Sequence, residues 1–167
     1  MTAGTTFPSL DIVPYWGRLN DGLATLIDYL PDDKLDWSPH EGLWSLRGIV
    51  LHIALARHNW MGSTVQDGLD GPNRTSAEAV QQLLVEGQTK DGMRKHLALS
   101  WERVQRFLSD PTKLAKAYTE IDPDGTKRTL DGHWIAFHLL EHDVHHRADI
   151  FHYLALLGVE HPEVGTP

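Results

Sequence analysis

Four long segments of the 167-residue chain repeat their apolar residues every three or four positions. That spacing places the apolar side chains on one face of an α-helix, whereas a half-buried strand alternates apolar and polar residues. The segments run from about residue 11 to 30, 45 to 61, 89 to 108 and 130 to 157. Because amphipathic helices bury their apolar faces against one another, the pattern predicts an all-α protein built as a four-helix bundle. This length fits one domain, so residues 1–167 are expected to form a single unit.

Local signals set the ends of the predicted helices. The apolar stripe of the first helix is predicted to begin at Tyr15 and to continue through Leu19 and Leu23. The third helix is predicted to begin near Thr89. The residues predicted to cap other helix starts are Asp11, Ser45 and Thr129, and those predicted to end helices are Pro31, Pro111 and Gly158.

Shorter elements fill the connections. Residues 1–10 are mostly small and polar, and they are expected to form a loosely ordered lead-in. Thr75 is followed three residues later by Glu78, a capping-box pattern that predicts a short extra helix through Leu84. Residues 117–121 and 126–129 flank the sequence Asp-Pro-Asp-Gly, and together they predict a small hairpin before the last helix.

Composition narrows the range of functions. The chain has no cysteine, so any bound metal must sit on nitrogen and oxygen ligands. Its formal charge is −8 with no long basic run, which argues against nucleic acid as a partner. No apolar stretch approaches the ~20 residues of a membrane span, and the N-terminus lacks a secretory-signal pattern. The expected protein is cytoplasmic, independent of membranes, and acts on a small molecule.

The histidines are the main chemical signal in the sequence. Five of the eleven lie in one fifteen-residue segment, 138–152, inside the last predicted helix: His138, His142, His145, His146 and His152. His142 and His146 are four positions apart, so they differ by about 40° around a helix and point the same way. Such an H-x-x-x-H pair supplies two imidazole ligands to one ion from a single rigid element.

His52 is the leading candidate for a third ligand. It interrupts the apolar run from Ile49 to Ala56, so its imidazole is expected to face the core and to need a partner. A metal ion would provide that partner, but a backbone carbonyl would satisfy a core histidine equally well. H-x-x-x-H pairs also arise by chance in histidine-rich helices. Spacing alone therefore leaves a metal centre and a structural histidine cluster both open.

Two side chains near the pair are candidates for proton transfer. His138 lies one turn before His142 and is expected to contact substrate, support a ligand or accept a proton. Asp149 faces within about 20° of His142, where a carboxylate would fix the tautomer of a ligand or accept a proton. The alternative for Asp149 is a surface salt bridge.

Three other residues are candidates for substrate binding. Asn59 has the same helical relation to His52 that Asp149 has to His142. Trp44 and Trp134 are candidates for the mouth of a pocket, with packing in the core or in a connector as the alternative for both.

Two segments resemble the DinB-like superfamily. Residues 129–150 contain the run His-Asp-Val-His-His-Arg at 142–147 and are similar to the family's last helix. Residues 45–60 contain His52 and are similar to its second helix. The order and spacing of the elements match over nearly the whole chain. A histidine in the second helix together with H-x-x-x-H-R in the last helix is far more specific than either motif alone.

The resemblance implies a four-helix bundle of DinB type with one divalent metal on His52, His142 and His146, often in a homodimer. Relatives include thiol S-transferases that use bacillithiol, mycothiol or glutathione, and a mycothiol-dependent maleylpyruvate isomerase. The chain departs from the family after the arginine, where the usual Gly-Gln is Ala148-Asp149. This change places a carboxylate where the family generally has an amide.

Three neutral ligands leave at least one coordination position open, as in catalytic rather than structural sites. The first hypothesis is therefore a metal-dependent thiol S-transferase that takes a low-molecular-weight thiol as cosubstrate. Zinc and nickel are the expected metals, with iron and manganese as alternatives, because imidazole suits several divalent ions. Two rival hypotheses are a non-catalytic bundle that binds a metal or small ligand, and an isomerase or hydrolase that uses metal-bound water.

Overall fold

The computed structural model describes residues 12–73, 76–121 and 124–161. Six α-helices and one hairpin lie in these ranges. In chain order they are α1 (Val13–Tyr29), α2 (Leu46–Asn59), α3 (Ala77–Glu86), α4 (Lys90–Leu108), α5 (Pro111–Ala115), β1 (Ala117–Ile121), β2 (Lys127–Asp131) and α6 (Gly132–Leu156). The prediction of an all-α bundle with a short extra helix and a small hairpin is confirmed.

The four long helices pack in a closed ring. Helix α1 contacts α4 and α6, and α2 contacts the same two helices from the other side. The core between them is apolar, and the predicted inward residues of α4, such as Met93, Leu97 and Val104, are buried. In this arrangement α2 and α6 lie side by side, so residues on their facing surfaces can share one site.

The inward face of α1 differs from the prediction only at its first residue, since Leu19 and Leu23 are buried as expected. Tyr15 is 44% exposed, whereas Trp16 is 0% exposed. The indole nitrogen of Trp16 donates a hydrogen bond of 2.6 Å to Asp143 on α6. Its ring also lies 5.4 Å from that of Trp101 on α4. The larger apolar surface and the polar partner together explain why Trp16, and not Tyr15, faces the core.

Capping follows the sequence at two helices. The Ser45 hydroxyl accepts a hydrogen bond from the Gly48 N–H at 3.1 Å, and the Thr89 hydroxyl accepts one from the Gly92 N–H at 3.1 Å. These side chains satisfy backbone donors that a helix start leaves unpaired. Gly158 has a φ of +68° just beyond α6, the left-handed conformation that favours glycine.

One predicted cap is wrong. Thr129 does not cap α6, because it is paired with Thr119 inside the hairpin. Asp131 takes that role and accepts a hydrogen bond from the Trp134 N–H at 2.7 Å. Helix α4 ends at Leu108, as predicted, and Pro111 begins α5, where a proline is tolerated because the first N–H groups of a helix have no acceptor within the helix. Predicted caps at residues 11 and 75 lie outside the described residues.

Helix α2 continues into a π-helical turn, Trp60–Val65. The sequence predicts a helix end near Met61, and the regular α-helix stops two residues earlier. The wider turn keeps Trp60 and Met61 buried while it places the Thr64 hydroxyl on the Glu120 carboxylate of β1. The hairpin is thereby attached to the end of α2, and π-helical turns of this kind are frequent at functional sites.

An ion pair is buried at the centre of the bundle, and sequence analysis did not identify it. Arg57 of α2 and Asp143 of α6 are both 0% exposed, with 2.7 Å between Nη2 and Oδ2. Arg57 also donates to Asn20 Oδ1 at 2.9 Å. Burial alone would raise the pKa of Asp143, but the Arg57 charge and the donors around the carboxylate outweigh it and hold that pKa below its ordinary value. Three helices, α1, α2 and α6, meet in this network.

In the described part of the chain, no helix combines the length and apolar character that a bilayer crossing requires.

His58 on α2 is a second buried titratable group, with 3% of its surface exposed. Burial lowers its pKa to about 3, with further lowering by Arg103, His96 and Arg57, against an opposing effect of Asp67. The imidazole is therefore neutral in the folded protein at neutral pH.

This environment predicts a pH dependence of stability. The unfolded chain takes up the His58 proton near pH 6.5, whereas the folded chain resists it down to about pH 3. The contribution of the neutral His58 ring to the free energy of unfolding is therefore fully present above pH 6.5, and it is lost as the pH falls toward 3. Below pH 6.5 the wild type is expected to lose up to about 1.4 kcal/mol per pH unit more than His58→Asn. Urea denaturation across this range measures both, and parallel pH profiles would contradict the prediction.

Candidate metal centre

Three imidazoles converge between α2 and α6. The nearest ring nitrogens of His52, His142 and His146 all lie within 4.8 Å of one another. The Nε2 atoms of His52 and His142 are 2.9 Å apart. All three side chains are partly buried, and the separations between their ring centroids are 4.5–4.8 Å. The fold thus brings together the three histidines that the sequence predicts as ligands.

The environment favours neutral imidazoles. Burial lowers the pKa of His52 to about 3, and the neighbouring His142 and His146 lower it further. Burial and His142 also lower the pKa of His146, although Asp149 opposes them. A neutral imidazole presents a free nitrogen lone pair, which is the form that binds metal ions. The donor set therefore fits a divalent transition metal.

Asp149 lies beside one of these histidines. Its Oδ2 atom is 3.0 Å from His146 Nδ1. A carboxylate only accepts, so Nδ1 carries the proton and donates, and Nε2 of His146 is left with its lone pair. His145 Nε2 is 3.8 Å from the same carboxylate oxygen, but the His145 side chain is 71% exposed. His152 is exposed as well.

Trp44 covers the outer side of the cluster. Its ring centroid lies 3.6 Å from that of His52, edge to face, and 5.8 Å from that of His146, nearly parallel to it. The indole is 44% exposed. Trp44 therefore separates the histidines from solvent on this side, between cavities of about 450 and 350 Å³ that both include it.

A further cavity of about 330 Å³ lies next to the histidines, among residues of α2, α6 and the hairpin. Its walls include His52, His142, Asn59 and His138. Asn59 has a buried side-chain oxygen with no hydrogen-bond partner among the described residues. The His138 ring is 6.5 Å from that of His142, and burial lowers its pKa, so His138 is neutral.

The aromatic residues beside this cavity form a packed group. Trp134 stacks on His138 with 5.0 Å between centroids and a 13° interplanar angle. Trp60 lies 5.2 Å from His138 and 5.9 Å from Trp134. Trp134 is 42% exposed, so it lies at the surface of this group while Trp60 fills the interior.

Sequence analysis missed two residues of this cavity, Glu120 and Arg128. They lie opposite each other in the hairpin, and Glu120 is only 3% exposed. Tyr118 and Glu120 are two residues apart, so they lie on the same face of β1. A tyrosine in the core therefore indicates that the Glu120 carboxylate is buried as well and needs a partner. What the sequence could not supply was the position of the hairpin against the bundle.

Asp143 was also missed, although it lies directly after His142. Its position follows Leu139 by four and precedes Ile150 by seven, so it occupies the inward stripe of α6. Its Oδ1 atom is 3.9 Å from His142 Nδ1, too far for a hydrogen bond. Asp143 is instead bonded to Arg57 of α2.

The sequence profile of the DinB family matches residues 1–167. The chain belongs to the DinB family. No curated protein matches it. As a DinB protein, it belongs to a family that generally binds metal, and its three clustered histidines could hold an ion.

Two solved structures are similar to this DinB chain in fold. A DinB-like protein from Bacillus cereus ATCC 10987 is 20% identical, with a TM-score of 0.64 over 92% of this chain and 95% of the other. A proposed member of the DinB family from Exiguobacterium sibiricum 255-15 is also 20% identical, with a TM-score of 0.67 over 92% of this chain and 93% of the other.

Proposed function

We propose that this DinB protein is a metal-dependent thiol S-transferase in which His52, His142 and His146 hold one divalent cation. The observation that carries the proposal is the convergence of the three ring nitrogens within 4.8 Å, from two helices that an ion pair fixes together. Three neutral ligands keep the positive charge of the ion and leave a position for a further ligand. A cavity of about 330 Å³ adjoins His52 and His142, and a small thiol would reach the ion through it.

When bound, the cation would supply a Lewis acid that lowers the pKa of a thiol toward neutrality. The sulfur then forms a bond to an electrophilic carbon, and the leaving group departs with its bonding electrons. The thiol proton needs an acceptor inside the cavity. His138 meets this requirement because it is neutral and lines the same cavity as His52 and His142.

The cavity walls also suggest how reactants are oriented. Asn59 offers a side-chain oxygen that has no other partner in the described structure, and it would accept a hydrogen bond from a substrate. Glu120 and Arg128 place a carboxylate and a guanidinium on the hairpin side. These polar groups favour a polar thiol or electrophile over a purely apolar one.

Trp44 lines two cavities beside the histidines, and Trp134 lies at the surface against His138. Both indoles are about two-fifths exposed, at 44% and 42%. Each is also packed against an imidazole, Trp44 against His52 and Trp134 against His138. We assign both to substrate binding, with the flat ring faces excluding water from the reacting groups.

Cobalt(II) substitution tests the proposal. The protein, purified without a metal-affinity step, is first analysed for bound metal, with zinc and nickel as the expected ions. The cobalt(II) form is then titrated with glutathione while near-ultraviolet absorption is recorded. A new thiolate-to-cobalt band that saturates, followed by thiol consumption with a chlorinated aromatic electrophile, is expected. Hydrolysis of an ester or amide without added thiol would favour the water-based alternative. Absence of any spectral change or turnover would favour a non-catalytic bundle.

Asp149 is expected to orient His146 rather than to accept the thiol proton. Replacing Asp149 with asparagine keeps the shape but weakens the acceptor for the Nδ1 proton of His146. We expect the metal affinity of Asp149→Asn to fall about 10–100-fold, as for other partners of metal-bound histidines. Competition with a zinc-binding dye measures this change. Unchanged affinity together with a large loss of turnover would instead assign Asp149 to proton transfer.

A further inference from the structure

A larger cavity lies on another side of α2 from the metal centre. His58 follows His52 by six positions, which is about 240° around the helix. The cavity has a volume of about 540 Å³ and lies among α3, α4 and residues 69–72. This volume is within the range of small-molecule sites, about 300–1,000 Å³. Its apolar walls are formed by Leu69, Pro72, Ala79, Leu83 and Leu99.

His58 contributes a buried donor to this cavity wall. Its Nδ1 atom is 3.2 Å from Arg103 Nη1. A guanidinium only donates, so Nδ1 of His58 accepts and the proton of the neutral ring is on Nε2. That Nε2 atom is buried and has no hydrogen-bond partner among the residues described. A buried N–H without a partner is destabilising and uncommon in native proteins.

His96 contributes a buried acceptor to the same wall, with 5% of its surface exposed. Its Nε2 atom is 2.9 Å from Glu86 Oε2, so Nε2 carries a proton and donates to the carboxylate. Burial outweighs Glu86 and lowers the pKa of His96, so the ring is neutral. Its Nδ1 atom therefore holds a lone pair, and it too lacks a partner within the described ranges.

Most of the charged residues around the cavity are already paired with a residue of opposite charge. Arg103 binds Asp67 through two hydrogen bonds, of 2.7 and 2.5 Å. Glu86 is 2.7 Å from Lys95 as well as 2.9 Å from His96. An ionic ligand would have to compete with these pairs. The buried atoms of the lining that have no partner among the described residues are one imidazole donor and one imidazole acceptor, and they lie beside an apolar wall.

A hydroxyl group is complementary to this pair because it accepts one hydrogen bond and donates another. We propose that this cavity is a second binding site, specific for a small, uncharged and largely apolar molecule that carries a hydroxyl group. The hydroxyl oxygen accepts a hydrogen bond from His58 Nε2–H, and the hydroxyl group donates a hydrogen bond to His96 Nδ1. The apolar body of the ligand packs against Leu83 and Leu99.

Three probes of similar shape test the site: 2-naphthol, naphthalene and 2-naphthoate. Each is titrated into isotope-labelled protein, with and without zinc, while the amide signals of Gly71, Leu83 and Leu99 are followed by nuclear magnetic resonance. We expect 2-naphthol to shift these signals saturably whether or not metal is present. Naphthalene is expected to bind at least about ten-fold more weakly because it makes neither hydrogen bond, and 2-naphthoate is expected not to bind.

Two variants remove one recognition atom each while they keep the protein contact. His58→Asn retains an acceptor near Arg103 but lacks the Nε2 donor, and His96→Gln retains a donor to Glu86 but lacks the Nδ1 acceptor. Each is expected to weaken 2-naphthol about ten-fold and to leave naphthalene unchanged, whereas His145→Asn, at an exposed position, changes neither. Equal affinity for 2-naphthol and naphthalene, unaltered binding in both variants, or shifts confined to the metal centre would overturn the proposal. Because zinc-free protein is included, this result is independent of the transferase test.

Discussion

The His146→Ala variant is expected to retain its fold and to lose both its divalent metal and thiol transfer. His146 supplies one of three converging nitrogens, and the two that remain, on His52 and His142, cannot hold an ion tightly. Altering only a residue that hydrogen-bonds to a metal-bound histidine typically costs about 10–100-fold in affinity, so loss of a ligand is expected to cost more than about 100-fold. Elemental analysis after dialysis, together with circular dichroism, measures metal content and fold separately.

His145→Ala is the matched control for this experiment. His145 is the preceding residue of α6, and its ring is only 5.0 Å from that of His146, yet its side chain is 71% exposed. It is expected to keep full metal content and turnover. Stoichiometric metal in His146→Ala would contradict the ligand assignment, and equal metal loss in both variants would point to a general effect of histidine content on α6.

Among single substitutions in the bundle, Asp143→Ala is expected to lower the free energy of unfolding the most. It removes the partner of a fully buried guanidinium and leaves the Trp16 N–H without its acceptor. Breaking a buried ion pair in this way costs about 3–5 kcal/mol. For a chain of this length that corresponds to a fall in Tm of about 6–20 °C. Thermal unfolding followed by circular dichroism, in the presence of a chelator, measures the effect without a contribution from metal.

Glu141→Ala is the control, because Glu141 lies two residues earlier on α6 and its side chain is exposed. Its stability is expected to stay within about 0.5 kcal/mol of the wild type. The double variant Arg57→Met with Asp143→Leu removes both charges and is expected to regain part of the lost stability. A fall in stability for Asp143→Ala no larger than that for Glu141→Ala would show that the pair is not needed to hold the bundle.

The ion pair and the histidine cluster are neighbours on the same two helices. Arg57 follows His52 by five residues on α2, and Asp143 follows His142 by one on α6. Three hydrogen bonds of 2.7–3.3 Å join Arg57 Nε and Nη2 to the Asp143 carboxylate. They fix the rotation and axial position of α6 against α2. A buried polar pair can set register in this way. We infer that Asp143→Ala also lowers metal affinity, since His52 and His142 would lose their fixed separation.

The hairpin contributes to the site in a different way. It places Glu120, which is hydrogen-bonded to Thr64, and Arg128 against the cavity beside His138. Thr64, Glu120 and Arg128 all lie outside the four long helices. The bundle thus supplies the three converging histidines, the hairpin supplies Glu120 and Arg128 to the cavity next to them, and the π-helical turn holds Glu120 through Thr64.

Periodicity was sufficient for much of the fold. Apolar residues at helical spacing predicted the four long helices, and Ser45 and Thr89 were identifiable as helix starts because side-chain caps act within three residues. The errors were also local. Thr129 was assigned as a cap because the sequence does not show that strand pairing with Thr119 continues to Asp131. Tyr15 was assigned to the core because a single stripe does not distinguish between adjacent aromatic residues.

The sequence alone determined that His142 and His146 share one face of a helix, because a four-residue separation fixes their angle. It also indicated that His52 faces inward from an apolar run. Only the tertiary structure decided that these rings meet, that Asp149 contacts His146, and that Arg57 and Asp143 form the central pair. The physical reason is range. Helical geometry relates residues within a few turns, whereas contacts between residues 52 and 142 depend on how two helices are rotated and positioned against each other.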